Sequence, residues 1–208
     1  MANLDLIVGV QKAGDGGRVV GRAGHTGEVI VSQLHGRYYE QARRGNLFTS
    51  YVATVATSVP ATATIGNMVW NPPGSGVYLS MLKWTSQIVA TSAACTGIVL
   101  AGGYQTTTPT TVTAATFTGR TLINKTTQVE GAAKAYSVAT VITIPLVVVV
   151  LHHNTAAIAT TGEDVIAGDL EGSIVVDEGG FVTMAALGGA AAASAHTSSL
   201  MWEEIPKP

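Results

Sequence analysis

Charge is scarce in this chain. Eleven Lys and Arg with thirteen Asp and Glu make up 12% of its 208 residues, about half the share of an ordinary soluble domain. A monomer needs polar side chains to cover its outside. A chain this short of them is expected to bury much of its surface against copies of itself or a partner. The net charge of −2 leaves no basic excess to neutralise phosphates, so nucleic-acid binding is not expected. Cysteine is nearly missing as well. Cys95 stands alone, which excludes an internal disulfide. With no His or Lys beside it to lower its pKa, it is expected to be an inert buried thiol. No hydrophobic run is long enough to span a membrane as a helix. The most apolar stretch, Val141 to Leu151, is about half the required length, and its β-branching and Pro145 favour a buried strand. The segment from Phe181 to Trp202 is longer and lacks Asp, Glu, Lys and Arg, but it is mostly Ala, Gly and Ser and is broken at Gly188-Gly189. No membrane partner is expected, and the opening Met1-Ala2-Asn3-Leu4-Asp5-Leu6 lacks the basic start of a signal peptide.

Catalytic signatures are missing too. Gly74-Ser75-Gly76 is followed by Val77-Tyr78 rather than by the Lys-Ser/Thr that reaches a phosphate, so it is expected to be a plain turn. Gly102-Gly103 and Gly188-Gly189 lack the third spaced glycine of a dinucleotide loop. His152-His153 beside Glu163 and Asp164 does not make a metal site, because adjacent residues of a strand face opposite ways. His35 and His196 are isolated, and no serine sits in a Gly-x-Ser-x-Gly elbow. The carboxylates Glu163, Asp164, Asp169, Glu171, Asp177 and Glu178 lie in or beside Gly-containing turns, as solvated loops do, rather than as a glycosidase pair. Asn124-Lys125-Thr126 matches a glycosylation sequon but has no secretion signal to give it meaning. The sequence therefore offers no catalytic residue, cofactor or metal ligand, and an enzyme is not expected.

What the chain does have is strand pattern. Residues 1–34 are Gly-rich, with turn groups at Gly14-Asp15-Gly16-Gly17 and Gly24-His25-Thr26-Gly27 and a short strand candidate at Glu28-Val29-Ile30-Val31. They are too poor in apolar positions to fold alone and are expected to form an arm. Gly36 to Gly45 is the single helical candidate, with Arg37, Glu40, Gln41 and Arg44 on one face and Tyr38 and Ala42 on another. Strand candidates follow at 48–55, 65–70, 77–91, 97–100, 112–117, 135–144, 146–152, 173–176 and 198–205. Between them stand Asn71-Pro72-Pro73-Gly74-Ser75-Gly76, Gly102-Gly103, residues 160–164 and Asp177-Glu178-Gly179-Gly180. Thr106 to Thr111 is expected to be an extended loop, since Pro109 cannot sit in a central strand. Ala190 to Ala193 fits either a tight loop or a narrow strand. Eight or nine strands with no helical period between them predict an all-β fold, an antiparallel β-sandwich of jelly-roll type. The expected domains are an arm with a short helix over residues 1–46 and a sandwich over residues 47–208.

One charge cluster stands out. Arg37, Tyr38, Tyr39, Arg43 and Arg44 combine the residue types enriched at binding hot spots and lie where arm meets sandwich, so they are candidate interface anchors. The alternative is a solvated helix face. Trp70, Trp84 and Trp202 fall in strand candidates, where the core is the commoner fate, although Trp and Tyr rings also stack on sugars.

Three stretches carry a family resemblance. His35 to Phe48 (HGRYYEQARRGNLF) is similar to a motif in virion structural proteins of tailed bacteriophages. Asn71 to Gly76, leading into Val77-Tyr78-Leu79, resembles the Asn-Pro-x-Gly-Ser-Gly turn of those proteins, and Leu200 to Pro206 resembles their last strand. The likeness in layout runs from about residue 28 to the end. This chain has Pro73 and lacks the lysine that often follows the turn. The resemblance implies a capsid-associated or other particle protein. The leading expectation is a virion protein, assembled in the host cytoplasm, that forms a homo-oligomer, expected as a trimer, and decorates or cements the capsid against the major capsid protein. A tail, baseplate or head-fibre component and a carbohydrate- or receptor-binding sandwich are the alternatives. The resemblance carries over no catalytic residue.

Overall fold

The computed structural model describes residues 37–58, 61–91, 95–121, 130–153, 165–188 and 193–207. Sequence expectations for the arm, including Glu28 to Val31, and for His35, Gly36, Asn124 to Thr126, Glu163, Asp164 and Ala190 to Ala192 lie outside these residues. The chain divides into two compact units, Met1–Tyr39 and Glu40–Pro208.

After a short helix, α1 (Tyr39–Arg44), eleven strands are described: β1 (Leu47–Ser58), β2 (Ala63–Trp70), β3 (Val77–Thr91), β4 (Cys95–Tyr104), β5 (Thr110–Ala114), β6 (Phe117–Arg120), β7 (Lys134–Thr140), β8 (Leu146–His153), β9 (Ile166–Val176), β10 (Gly180–Gly188) and β11 (Ala193–Pro206). They form two sheets, β6-β1-β11-β3-β9 and β5-β7-β2-β10-β4-β8, and every pairing is antiparallel. Eight of the strands show how the chain winds. β1 pairs with β11, β2 with β10, β3 with β9 and β4 with β8, and successive pairs alternate between the sheets. This nested hairpin, rolled into a sandwich, is the jelly roll. The remaining strands, β5 to β7, are an insertion between β4 and β8. They extend both sheets, β6 beside β1 and β7 with β5 beside β2.

Alternation along the strands builds the core. Val69, Leu79, Met81, Leu100, Val182, Met184, Leu200 and Trp202 point between the sheets, and Trp202 stacks on Phe48 with ring centroids 6.1 Å apart. Burying each of the aliphatic side chains fully contributes about 1.5–3 kcal/mol. On the neighbouring strand positions Met68, Trp70 and Phe181 join Ala139 and Val141 in a second cluster. Neighbours along a strand face opposite ways, so the six-stranded sheet carries an apolar cluster on each face. Trp70, Trp84 and Trp202 are all buried.

A buried polar link spans the sandwich. Asn67 on β2 accepts the Ser50 hydroxyl of β1 at 2.8 Å and donates to the Ser50 and Ser198 carbonyls of the facing sheet.

The structure corrects several expectations. The helix is six residues long and starts at Tyr39, so Arg37 precedes it and shares no helical face with Arg44. The candidate strand at 112–117 is two strands, β5 and β6, in different sheets. The candidate at 135–144 stops at Thr140, where the Val141 N–H turns away to bond the Thr62 carbonyl. Asp169 and Glu171 belong to β9, not to a loop. β10 was not expected at all.

Candidate functional site

Helix α1 ends on Gly45, whose φ of 75° suits glycine. The Gly45 N–H bonds the Ala42 carbonyl and the Asn46 N–H the Gln41 carbonyl, a Schellman closure that turns the chain directly into β1. Arg43 and Arg44 lie in the last turn, where cations favour the helix dipole, and both are exposed. Arg44 acts on Glu203 of β11. Burial pushes the Glu203 carboxyl above its ordinary range and the Arg44 charge pulls it back. Arg37 lies over the Tyr38 ring at 5.4 Å, and Tyr39 is exposed. The five residues thus split between a turn (Arg37, Tyr38) and a capped helix (Tyr39, Arg43, Arg44).

At one end of the jelly roll, three segments far apart in sequence meet. The Gly74 and Gly76 N–H groups both donate to the Glu178 carboxylate, at 3.1 and 2.9 Å. The cradle that tempts a phosphate-loop reading is filled by a side chain of the chain itself. Asn71 anchors the same turn by donating to the Val77 and Val176 carbonyls. Lys207 arrives from the far end of the sequence. Its N–H bonds the Gly76 carbonyl, its Nζ lies 2.6 Å from Asp177 and 3.4 Å from Glu178, and it sits over the Tyr78 ring. The Lys207 hydrogen bond is the first cause holding Asp177 below the usual carboxylate range. The Gly74 N–H is the first cause lowering Glu178, and the Asp177 contact is the first cause raising Lys207. The Lys207 ammonium, the Asp177 and Glu178 carboxylates and the Gly74 and Gly76 N–H groups satisfy one another, so the cluster is a structural latch, although the buried Asn71 Oδ1 has no hydrogen-bond partner.

A second carboxylate was missed in the sequence. Glu204 on β11 is buried and accepts the Ala132 and Ala133 N–H groups, at 2.9 and 3.0 Å, and the Trp202 indole N–H. It fastens the β5–β7 insertion to the sandwich. Its spacing from Trp202, two residues along one strand, is the only sequence signal that could have placed it inward.

The surface that stands apart is at β8. Ile142, Ile144, Leu146, Val147, Val148 and Val150 are all exposed, with Leu146 at 74%. Only Val149 and Leu151 of this strand pack on the core. β8 is the outermost strand of its sheet among the described residues, and no charged residue occurs from Ile142 to His153. From sequence, Val141 to Leu151 is expected to be a buried strand. Strand begins only at Leu146, and of the run from there to Leu151 only Val149 and Leu151 are packed against the core.

Two shallow grooves add little to this. One, lined by Trp70, Pro72, Pro73, Thr106, Lys134 and Tyr136, holds about 450 Å³. Trp70 is buried there, and its indole N–H is spent on the Gln105 carbonyl. Burial raises the Tyr136 hydroxyl above its ordinary pKa. Among the described residues no group of three His, Cys, Asp or Glu converges as a metal site would require, and no helix is long and apolar enough to cross a membrane.

The fold defines a single jelly-roll protein whose most distinctive surface is an apolar sheet edge. Compared with known proteins, the chain matches no family model, no curated sequence and no solved structure.

Proposed function

We propose that this chain is a structural subunit of a tailed-phage particle that works by assembling, decorating or cementing the capsid shell. The observation that carries the reading is the uncharged, solvent-exposed run from Ile142 to Val150. Water-exposed apolar area of this kind marks a surface that functions covered. Jelly rolls also serve viral shells, which agrees by fold analogy alone. The motif resemblance of residues 35–48, 71–79 and 200–206 points the same way. Cementing of this sort is mechanical: each contact is weak, and many copies add through multivalency. Arg43 and Arg44, exposed on α1, are the candidate anchors toward the shell.

The test is sedimentation. Particles purified from the host should carry the chain in stoichiometric amount, read by mass spectrometry of the pelleted band. A chain that stays wholly in the soluble fraction contradicts the reading. A glycan array tests the sugar-binding alternative, which the burial of all three Trp rings does not favour.

A further inference from the structure

We infer that β8 is a self-pairing edge, so that a second copy of this chain adds its own β8 antiparallel to the first and joins two six-stranded sheets into one. The inference rests on the reading that the chain works assembled, and it names the contact.

Among the described residues the two sheets end in four edge strands, β6, β9, β5 and β8. An edge strand exposes backbone N–H and C=O groups and is normally blunted by charge, bulges, proline or shortness. β9 carries Asp169 and Glu171, an ion pair from Lys83 to Asp169 and an irregular register opposite Met81 and Lys83. β6 is four residues long and ends on Arg120. β5 is five residues long, follows Pro109 and is mostly threonine. β8 follows Pro145 and its register against β4 shifts twice, at Ile98/Val99 and at Leu100/Ala101, but it carries no charged side chain over its eight residues. Among the described residues it is the one edge strand that is both longer than five residues and free of charge.

The occupant follows from the chemistry of that edge. Leu146-Val147-Val148-Val149-Val150-Leu151 reads the same in both directions. An antiparallel second copy centred on Val148 sets Leu146 against Val150 and Val147 against Val149, the apolar cross-strand pairs that stabilise sheets. With no charge on either side, neither like-charge repulsion nor an unpaired buried ion opposes the contact. Leu146, Val148 and Val150 are exposed beside that edge, where the Val and Leu side chains of a second copy pack against them. Pairing β8 with β8 also uses up the open edge of both copies. The contact closes at two and does not grow into a fibre. Larger assemblies then contain this two-fold contact in addition to any three-fold one.

Light scattering on the full chain at micromolar concentration tests the proposal, beside the double variant Val148→Lys/Val150→Lys. Both side chains are exposed, so the sandwich should keep its strand circular dichroism. The wild type should give twice the 21.3 kDa chain mass or an even multiple of it, and the variant should fall to half the wild-type value. A wild-type oligomer that the variant leaves unchanged overturns β8 pairing while the assembly reading stands. A wild-type monomer overturns β8 pairing and leaves the virion reading to particle sedimentation. Hydrogen exchange on the wild type supplies a second readout if the variant misfolds. The amides of residues 146–151 should exchange far more slowly than those of β5. Equal, fast exchange, or protection that arises only when purified capsids are added, overturns the proposal.

Discussion

Single side chains in this protein hold segments that are distant in sequence, and Glu204 is the clearest case. Replacing it with Ala leaves the Ala132, Ala133 and Trp202 N–H groups without their acceptor. The expected cost is about 3 kcal/mol, read as a lower urea midpoint, with Glu204→Gln losing less because its carbonyl still accepts. Gly131→Ala should behave like Glu204→Ala, since a Cβ at that position would collide with the Glu204 carboxylate. The latch around Lys207 has a pH window. Asp177 and Glu178 titrate below their ordinary 3.8 and 4.5, so their contribution is present above those values and is lost as pH falls through the lowered ones. Lys207 titrates above its ordinary 10.5, so its contribution is present below that value and is lost as pH rises through the raised one. The latch is therefore complete between about pH 5 and about pH 10. In Lys207→Met the Asp177 midpoint should move up toward its ordinary value, as followed by carboxyl NMR. An unmoved midpoint removes Lys207 as the cause. The same titration tests Arg44: Arg44→Ala should push Glu203 still higher, because the charge that pulls it down is gone.

Elements were legible in proportion to their β-branched and aromatic content. β3 was placed to the residue, and β8 within one residue, because long runs of Val, Ile, Leu, Tyr and Thr leave no competing pattern. β10 was invisible. Its Gly-Phe-Val-Thr-Met-Ala-Ala-Leu-Gly has small residues where a lone strand would carry large ones, because it is central and packed by β2 and β4 on either side. Asp169 and Glu171 suggested a loop. β9 is an edge strand whose irregular stretch, with Glu171 at φ 53°, tolerates them. The carboxylates that clamp turns could not be paired by eye, since Glu178 meets Gly74 and Gly76 across a separation of about a hundred residues. At this scale two predictions follow. Deleting residues 1–36 should leave the strand circular-dichroism signal intact, because Glu40–Pro208 forms a compact unit of its own. Loss of that signal would make the arm part of the core. Arg43→Ala and Arg44→Ala should lower particle incorporation without unfolding. Arg37→Ala should act differently, because Arg37 lies outside α1. Wild-type incorporation of all three would mark the cluster as a solvated surface.

For the whole molecule, the sandwich class was evident from strand count and turn chemistry, but the nested pairing of β1 with β11 through β4 with β8 emerges only from contacts between the two halves of the chain. What composition did indicate was a surface poor in charge, and the longest stretch of it among the described residues is the apolar run leading into and along β8. Electron microscopy of particles purified from the host tests the central claim most directly. The account predicts density for this jelly roll on the shell, with β8 covered by a neighbouring copy. Particles that lack the chain, or that carry it with β8 facing open solvent, would contradict it.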